Sequence, residues 1–436
     1  MSPRRSGQAP GVTVPPPGPR SRALARRLAA AEAPGVNTLA GGSPSLAWEE
    51  ARGSTVRDVD GNRFVDLTSG FGVAAVGHRH PRVVAAVRRQ AGRLLHGLGD
   101  VHAHPLRVEL AERLAARVPA AAGAAGRRVY FAISGAEAVE IAVKTALLAT
   151  GRPGVVAFDP AYHGLTVGAL AVTSRPAFRD PFAPHLHPWV RRLPWGGDPD
   201  AVEAALAAGD VGCLVVEPVV GREGVLLPPD GWLAALAAAC SRHAVLLVAD
   251  EVFTGFGRTG RWFAVEHEGV EPDLVVCGKA LGGGLPIAAV VGRAELMAAW
   301  PDAGEALHTA TFLANPVACA AALAVLDVLE AEALPERAAA AEAAVRARLE
   351  AWPGRHPAVR EVRGRGLLWG VEMASAADAR ALVAGAMARG VLLLAGGPEG
   401  RVAQVVPPLT IAPRRLAAAL DTVEEALSGR RGGARA

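Results

Sequence analysis

Cysteine is scarce: Cys213, Cys240, Cys277 and Cys319 are the four in 436 residues, far apart and without C-x-x-C or C-x-x-H spacing. That excludes a disulfide framework and a zinc finger; no metal site is expected, and a reducing cytoplasm fits. No uninterrupted apolar stretch of about 20 residues free of Arg, Asp or Glu reads as a spanning helix, and no membrane partner is expected. The start carries Arg4 and Arg5 but then Pro10, Pro15, Pro16, Pro17 and Pro19, with no apolar core of a secretory signal. No G-x-G-x-x-G follows a first strand, which argues against a dinucleotide-binding turn. The net charge of +4 comes largely from the ends, in Arg4, Arg5, Arg20, Arg22, Arg26 and Arg27 and in Arg430, Arg431 and Arg435. Elsewhere the signs are interspersed, and no nucleic-acid partner is expected.

What the chain does have is length enough for a large domain with a smaller companion, and a composition that is half hydrophobic. Residues 1–20, rich in Pro, Gly, Ser and Arg, are expected to be a flexible tail. Thr55–Asp58 and Arg63–Asp66 flank Asp60-Gly61-Asn62, a hairpin signature that places residues 21–76 in a small domain. From 77 to 329, short apolar runs alternate with Ala- and Leu-rich helical stretches. The runs are Val129–Ile133, Val155–Phe158, Cys213–Val216, Val245–Ala249, Leu274–Cys277 and Ala288–Val291. Strands without alternation are buried on both faces, which predicts a mostly parallel α/β sheet covered by helices. Residues 330–428 return to mixed helix and strand in the small domain, and 429–436 form a basic tail.

Ligands of such sheets sit beyond the carboxyl ends of the strands, and four of these ends carry suitable chemistry. Ser134-Gly135-Ala136-Glu137 opens a helix whose free N–H groups can hold a phosphate, although Ser before a helix is also an ordinary cap. Tyr162-His163-Gly164 offers a ring to a flat heteroaromatic ligand, or simply a packed rim. Asp250-Glu251-Val252 ends an apolar strand with an acid that needs a cationic partner; a pyridinium nitrogen, a helix terminus or a metal would each serve. Gly278-Lys279 precedes a glycine-rich turn, where desolvation lowers the lysine pKa and leaves an amine able to attack a carbonyl.

Together with Asp58–Asp66, Gly77-His78-Arg79-His80-Pro81, Glu217-Pro218, Thr254–Gly260, His308–Phe312 and Gly364–Leu367, these segments resemble the class III aminotransferases from about Gly42 to Ala426. The resemblance implies pyridoxal-phosphate fold type I: a large, mostly parallel seven-stranded sheet domain and a smaller α+β domain built from both termini. It also implies a homodimer acting on small amine and keto or aldehyde substrates in ping-pong fashion. Lys279 would carry the Schiff base and shuttle the proton, and Asp250 would hold the ring nitrogen. Val252 and Tyr162 would cover the two ring faces, and Ser134, Gly135 and Ala136 would surround the phosphate. His163 and Phe253 complete the cofactor contacts, and Thr311 would reach the neighbouring subunit's phosphate.

Departures from the family bear on substrate choice. Phe253 stands where many members have Gln, and Leu165 where an Arg often grips a distal carboxylate. Gln404 occupies the place of the Arg that clamps an α-carboxylate and pairs with the acid at Glu217; Arg401 could substitute. With Phe71 at the expected mouth, the site should favour an amine or ω-amino donor over glutamate-like dicarboxylates. A racemase, aminomutase or lyase of the same family is the nearest rival reading.

Overall fold

The computed structural model describes residues 11–36, 45–119, 126–302 and 304–428. Three strands come first: β1 (Trp48–Arg52), β2 (Thr55–Asp58) and β3 (Arg63–Asp66), paired antiparallel in that order, β2 to β3 through the Asp60-Gly61 turn. There follow β4 (Arg127–Ala132), β5 (Gly154–Asp159), β6 (Val190–Pro194), β7 (Val211–Val216), β8 (Leu246–Asp250), β9 (Leu274–Cys277) and β10 (Ala288–Arg293). These seven form one sheet in the order β4-β10-β9-β8-β7-β5-β6. All neighbours are parallel except β10, which opposes both β4 and β9.

Every residue of β7, β8 and β9 is buried, as expected for strands covered on both sides. Side chains alternate between two cores. Val155, Ala157, Cys213, Val215, Val248 and Val276 pack on the helix Gly135–Thr150 side, with Val139, Ala142 and Ala146. Val156, Phe158, Leu214, Val216, Leu247 and Val275 face the other way, into the core shared with the helix Pro316–Ala331. The seventh strand, β6, is not an apolar run: it lies at the edge, and Arg191 and Arg192 pair with Asp210 and Asp159 instead of packing.

The chain closes with β11 (Val359–Arg365), β12 (Leu368–Met373), β13 (Val391–Leu392), β14 (Leu394–Gly396) and β15 (Val402–Val405). β13 lies parallel to β3, so the two ends of the chain share a sheet, and β11-β12-β15-β14 form another. Residues 11–18, expected to belong to the tail, lie against this region: the Thr13 and Val14 amides donate to Asn62 Oδ1 at 2.9 and 3.0 Å. From Pro19 a helix begins, with the Arg20 and Ser21 amides held by Asp60. Residues 1–10 of that tail and the basic tail at 429–436 lie outside the described residues.

Arg258 ties the two regions together. It is 2 % exposed, and its Nη1 donates to the carbonyls of Leu367 and Pro407 at 3.1 and 2.5 Å, while the Leu367 amide donates to its own carbonyl at 3.0 Å. Burial pulls the guanidinium down to about 9, yet it keeps its proton at neutral pH. Arg258→Ala would leave those carbonyls unpaired beside a cavity and is expected to cost about 2–4 kcal/mol, read from the denaturant midpoint.

Candidate active site

Register brings the strand ends to one edge. Val216 lies opposite Ala249 and Asp250 opposite Val276, so Glu217, Asp250 and the Gly278-Lys279 pair leave the sheet side by side. With the loop after β5 and the start of the helix Gly135–Thr150 they enclose a cavity of about 250 Å³.

Asp250 is 4 % exposed and accepts from the Val252 amide at 3.0 Å and from His163 Nδ1 at 2.7 Å. An ionised carboxylate only accepts, so Nδ1 carries the proton of that bond. The His163 amide donates to Thr173 Oγ1 at 2.9 Å, which fixes the loop, while its Nε2 is buried without a partner among the described residues. Lys279 adopts a left-handed backbone, φ +42°, and its Nζ lies 3.9 Å from the Phe253 ring centroid. Burial lowers its pKa to about 8; Glu217 and Asp250 oppose the shift, and Arg222 adds to it. A minor part of this amine is therefore neutral and nucleophilic near neutral pH, far more than for a solvated lysine.

Glu217, 4 % exposed, accepts from the Tyr162 amide at 2.8 Å and the Gly221 amide at 3.0 Å, and burial pushes its carboxyl up to about 7. No guanidinium among the described residues pairs with it. Gln404, buried on β15, turns instead to the Gly221 carbonyl at 2.9 Å. Arg401 pairs with Glu399, two residues away along the same turn, and lies outside the cavity.

Ser134 acts as the helix cap, its Oγ accepting from the Glu137 amide at 3.2 Å, and the cavity begins at Gly135 and Ala136. Both are tightly fitted. A Cβ on Gly135 would stand 3.1 Å from Val252 Cγ1, and one on Gly164, at φ +127°, would stand 2.4 Å from the Ala136 methyl. Tyr162 and Leu165 line the wall with Val252 and Phe253. Phe71 does not: its ring is 41 % exposed, although the adjacent Gly72 faces Phe253 and Lys279. Thr311 is exposed and also outside.

Arg222 is the lining residue that the sequence reading passes over; an arginine four residues after Glu217-Pro218 was the available signal. Another signal is that the chain has only two lysines, Lys144 and Lys279. A larger cavity of about 600 Å³, between the β1–β2 hairpin and the helix Pro413–Ser428, is arginine-rich but contains no lysine. Among the described residues no group of His, Cys, Asp or Glu is arranged to hold a metal, and no helix is long and apolar enough to cross a membrane.

A desolvated lysine beside a buried acid, at the open edge of this sheet and facing a helix start that can take a phosphate, defines a pyridoxal-phosphate enzyme of fold type I. The class III aminotransferase model matches residues 39–427. Over 438 residues the chain is 40% identical to 4-aminobutyrate aminotransferase of Mycobacterium tuberculosis, covering 93% of this chain and 95% of that one. It is 43% identical over 379 residues to acetylornithine aminotransferase of the same organism, covering 86% and 90%. Ornithine aminotransferase from Toxoplasma gondii, a structure with partial pyridoxal-phosphate occupancy, superposes with a TM-score of 0.86 at 31% identity, covering 94% and 95%. The chain belongs to the class III aminotransferases, and it catalyses transamination with pyridoxal phosphate.

The residues present fit that cofactor: Asp250 still has acceptor capacity beyond its two donors, and the Gly135–Val252 and Gly164–Ala136 contacts shape a cradle that a single methyl would fill. Gly164→Ala is expected to lower the cofactor retained per chain several-fold, measured by absorbance after gel filtration. Because the neutral amine predominates above about pH 8, capture of the added cofactor by apoprotein should accelerate from pH 7 to 9; a flat profile would contradict the assignment of Lys279 as nucleophile.

Proposed function

We propose that this aminotransferase takes amine or ω-amino donors in preference to glutamate-like dicarboxylates, and passes the amino group to a keto acid or aldehyde. The observation that carries this is Glu217, buried without a guanidinium while Gln404 is committed to the Gly221 carbonyl. A neutral amide supplies neither the charge nor the bidentate fork that an α-carboxylate needs, and a second carboxylate beside Glu217 would be desolvated and unpaired. Leu165 adds apolar wall where a distal carboxylate would otherwise be gripped. The relatives named for 4-aminobutyrate and acetylornithine, both ω-amino substrates, are compatible with this preference.

The cofactor supplies an electron sink that stabilises negative charge at the substrate Cα. Lys279 would hold it and, once freed by the incoming amine, carry a proton to and from that carbon; Asp250 would keep the ring nitrogen protonated, braced by His163 and the Val252 amide. Tyr162 and Val252 would cover its two faces, Gly135 and Ala136 would bind its phosphate, and Phe253, lacking a polar atom, would offer shape alone.

A homodimer is proposed on the surface around Thr311. Leu95, Val101, Leu307 and Phe312 are each 60–65 % exposed there, and His96 meets Phe312 edge-on at 5.7 Å, so the two segments form one apolar patch suited to a second copy. Thr311 would then reach the partner's phosphate. A cytoplasmic location is proposed on the four unpaired, buried thiols. The shared β3–β13 sheet supports a division into 21–76 and 330–428 as one small domain around a large domain at 77–329.

Donors added without an acceptor provide the test. Pentylamine or 5-aminopentanoate should convert the visible cofactor band to its amino form at least about tenfold faster than glutamate does, and Lys279→Ala should not turn over. Equal rates for glutamate would sink the donor assignment. A band that persists while the substrate racemises or loses a group would move the activity to a racemase or lyase.

A further inference from the structure

The turn after Glu217-Pro218 reads Val219-Val220-Gly221-Arg222-Glu223-Gly224, and its two neighbouring charges are handled differently. Glu223 is 2 % exposed and paired: Arg175 Nη2 donates to its oxygens at 2.8 and 2.7 Å and to the Gly397 carbonyl at 2.9 Å. Arg222 faces the cavity instead. Its guanidinium carbon lies 4.5 Å from the Tyr162 ring centroid and 5.4 Å from that of Phe178, and no hydrogen bond or ion pair engages its N–H groups among the described residues.

The backbone beneath it is stapled. Gln404 Nε2 donates to the Gly221 carbonyl at 2.9 Å and to the Arg222 carbonyl at 3.4 Å, and the Gly397 amide donates to the latter at 3.0 Å. A Cβ on Gly221 would come within 2.5 Å of the Phe253 ring, so the turn is pressed against the cavity floor. A guanidinium held against aromatic rings keeps a planar fork of donors free to meet a carboxylate.

We propose that Arg222 binds the substrate carboxylate in this enzyme, replacing the arginines absent at Leu165 and Gln404; the assignment rests on the transaminase reading above. The other cations of the lining are committed, Lys279 to the chemistry and His163 to Asp250. One free guanidinium matches one carboxylate, which suits an ω-amino acid or a monocarboxylic keto acid and leaves a dicarboxylate half unpaired. Gln404 is then a positioning residue that fixes the turn presenting Arg222.

The test compares holoenzyme with its Arg222→Gln, Arg222→Lys and Arg401→Gln variants. The ratio of kcat/KM for 5-aminopentanoate to that for pentylamine, which differ only in the carboxylate, should fall roughly 10- to 100-fold in Arg222→Gln, chiefly through KM. Arg222→Lys, a charge without the fork, should recover part of it, and Arg401→Gln should not move it. Calorimetric binding of unreactive pentanoate should weaken in parallel. A donor ratio and pentanoate affinity unchanged in Arg222→Gln would overturn the proposal. Loss of bound cofactor with both unchanged would do so too, assigning Arg222 to the cofactor phosphate. If wild type turns over neither donor, the donor reading fails on its own, while pentanoate binding still decides the role of Arg222.

Discussion

An ionised carboxylate at the end of a strand buried on both faces costs several kcal/mol unless donors and a cation meet it. Asp250 is in that position, and much of the surrounding architecture answers to it. The Val252 amide satisfies one oxygen by a local turn, and the other is met by His163, brought from 87 residues away by the loop after β5. That loop must hold a particular shape, and the bond from the His163 amide to Thr173 and the close Gly164–Ala136 contact give it one. The same contact places the loop on the helix start that faces the cavity. Donors from two elements thus leave the acid poised for a cation that neither of them supplies.

The parallel sheet makes this economical. Strands β7, β8 and β9 run in register, so residues that follow them emerge level with one another without long connections reaching across the edge. Burial lowers the Lys279 pKa and raises that of Glu217. One desolvated pocket therefore produces an amine that is partly neutral and a carboxyl that is partly protonated near neutrality, opposite displacements from a single cause.

Much of this was legible in the residues. Unalternated apolar runs revealed the central strands, and the small or charged residues at their ends marked the site, because glycine, lysine and aspartate are conspicuous after valine and leucine. β6 was not legible, since an edge strand with Arg191 and Arg192 answered by Asp210 and Asp159 has no hydrophobic signature. Nor was the order of residues 11–18, whose anchor is the side-chain oxygen of Asn62, far along the chain. Arg401 shows the limit of reasoning from spacing: it pairs with Glu399, two positions away, and lies outside the cavity that Glu217 lines.

Glu217 and Arg222 illustrate how one substitution can alter the meaning of another. An arginine at position 404 would have a buried acid to pair with, and its charge would be shared between that acid and the substrate. With Gln404 the acid relies on two backbone amides, and burial drives it toward the neutral form. The amide of Gln404 is released to hold the Gly221-Arg222 turn, and Arg175 absorbs the only acid adjacent in sequence to Arg222. The guanidinium that faces this pocket stands on a turn of its wall and not on the strand that frames it, and no anion among the described residues pairs with it. Tyr162 and Phe178 lie against the guanidinium, and its N–H groups have no partner among the described residues, so the fork stays open to a substrate carboxylate.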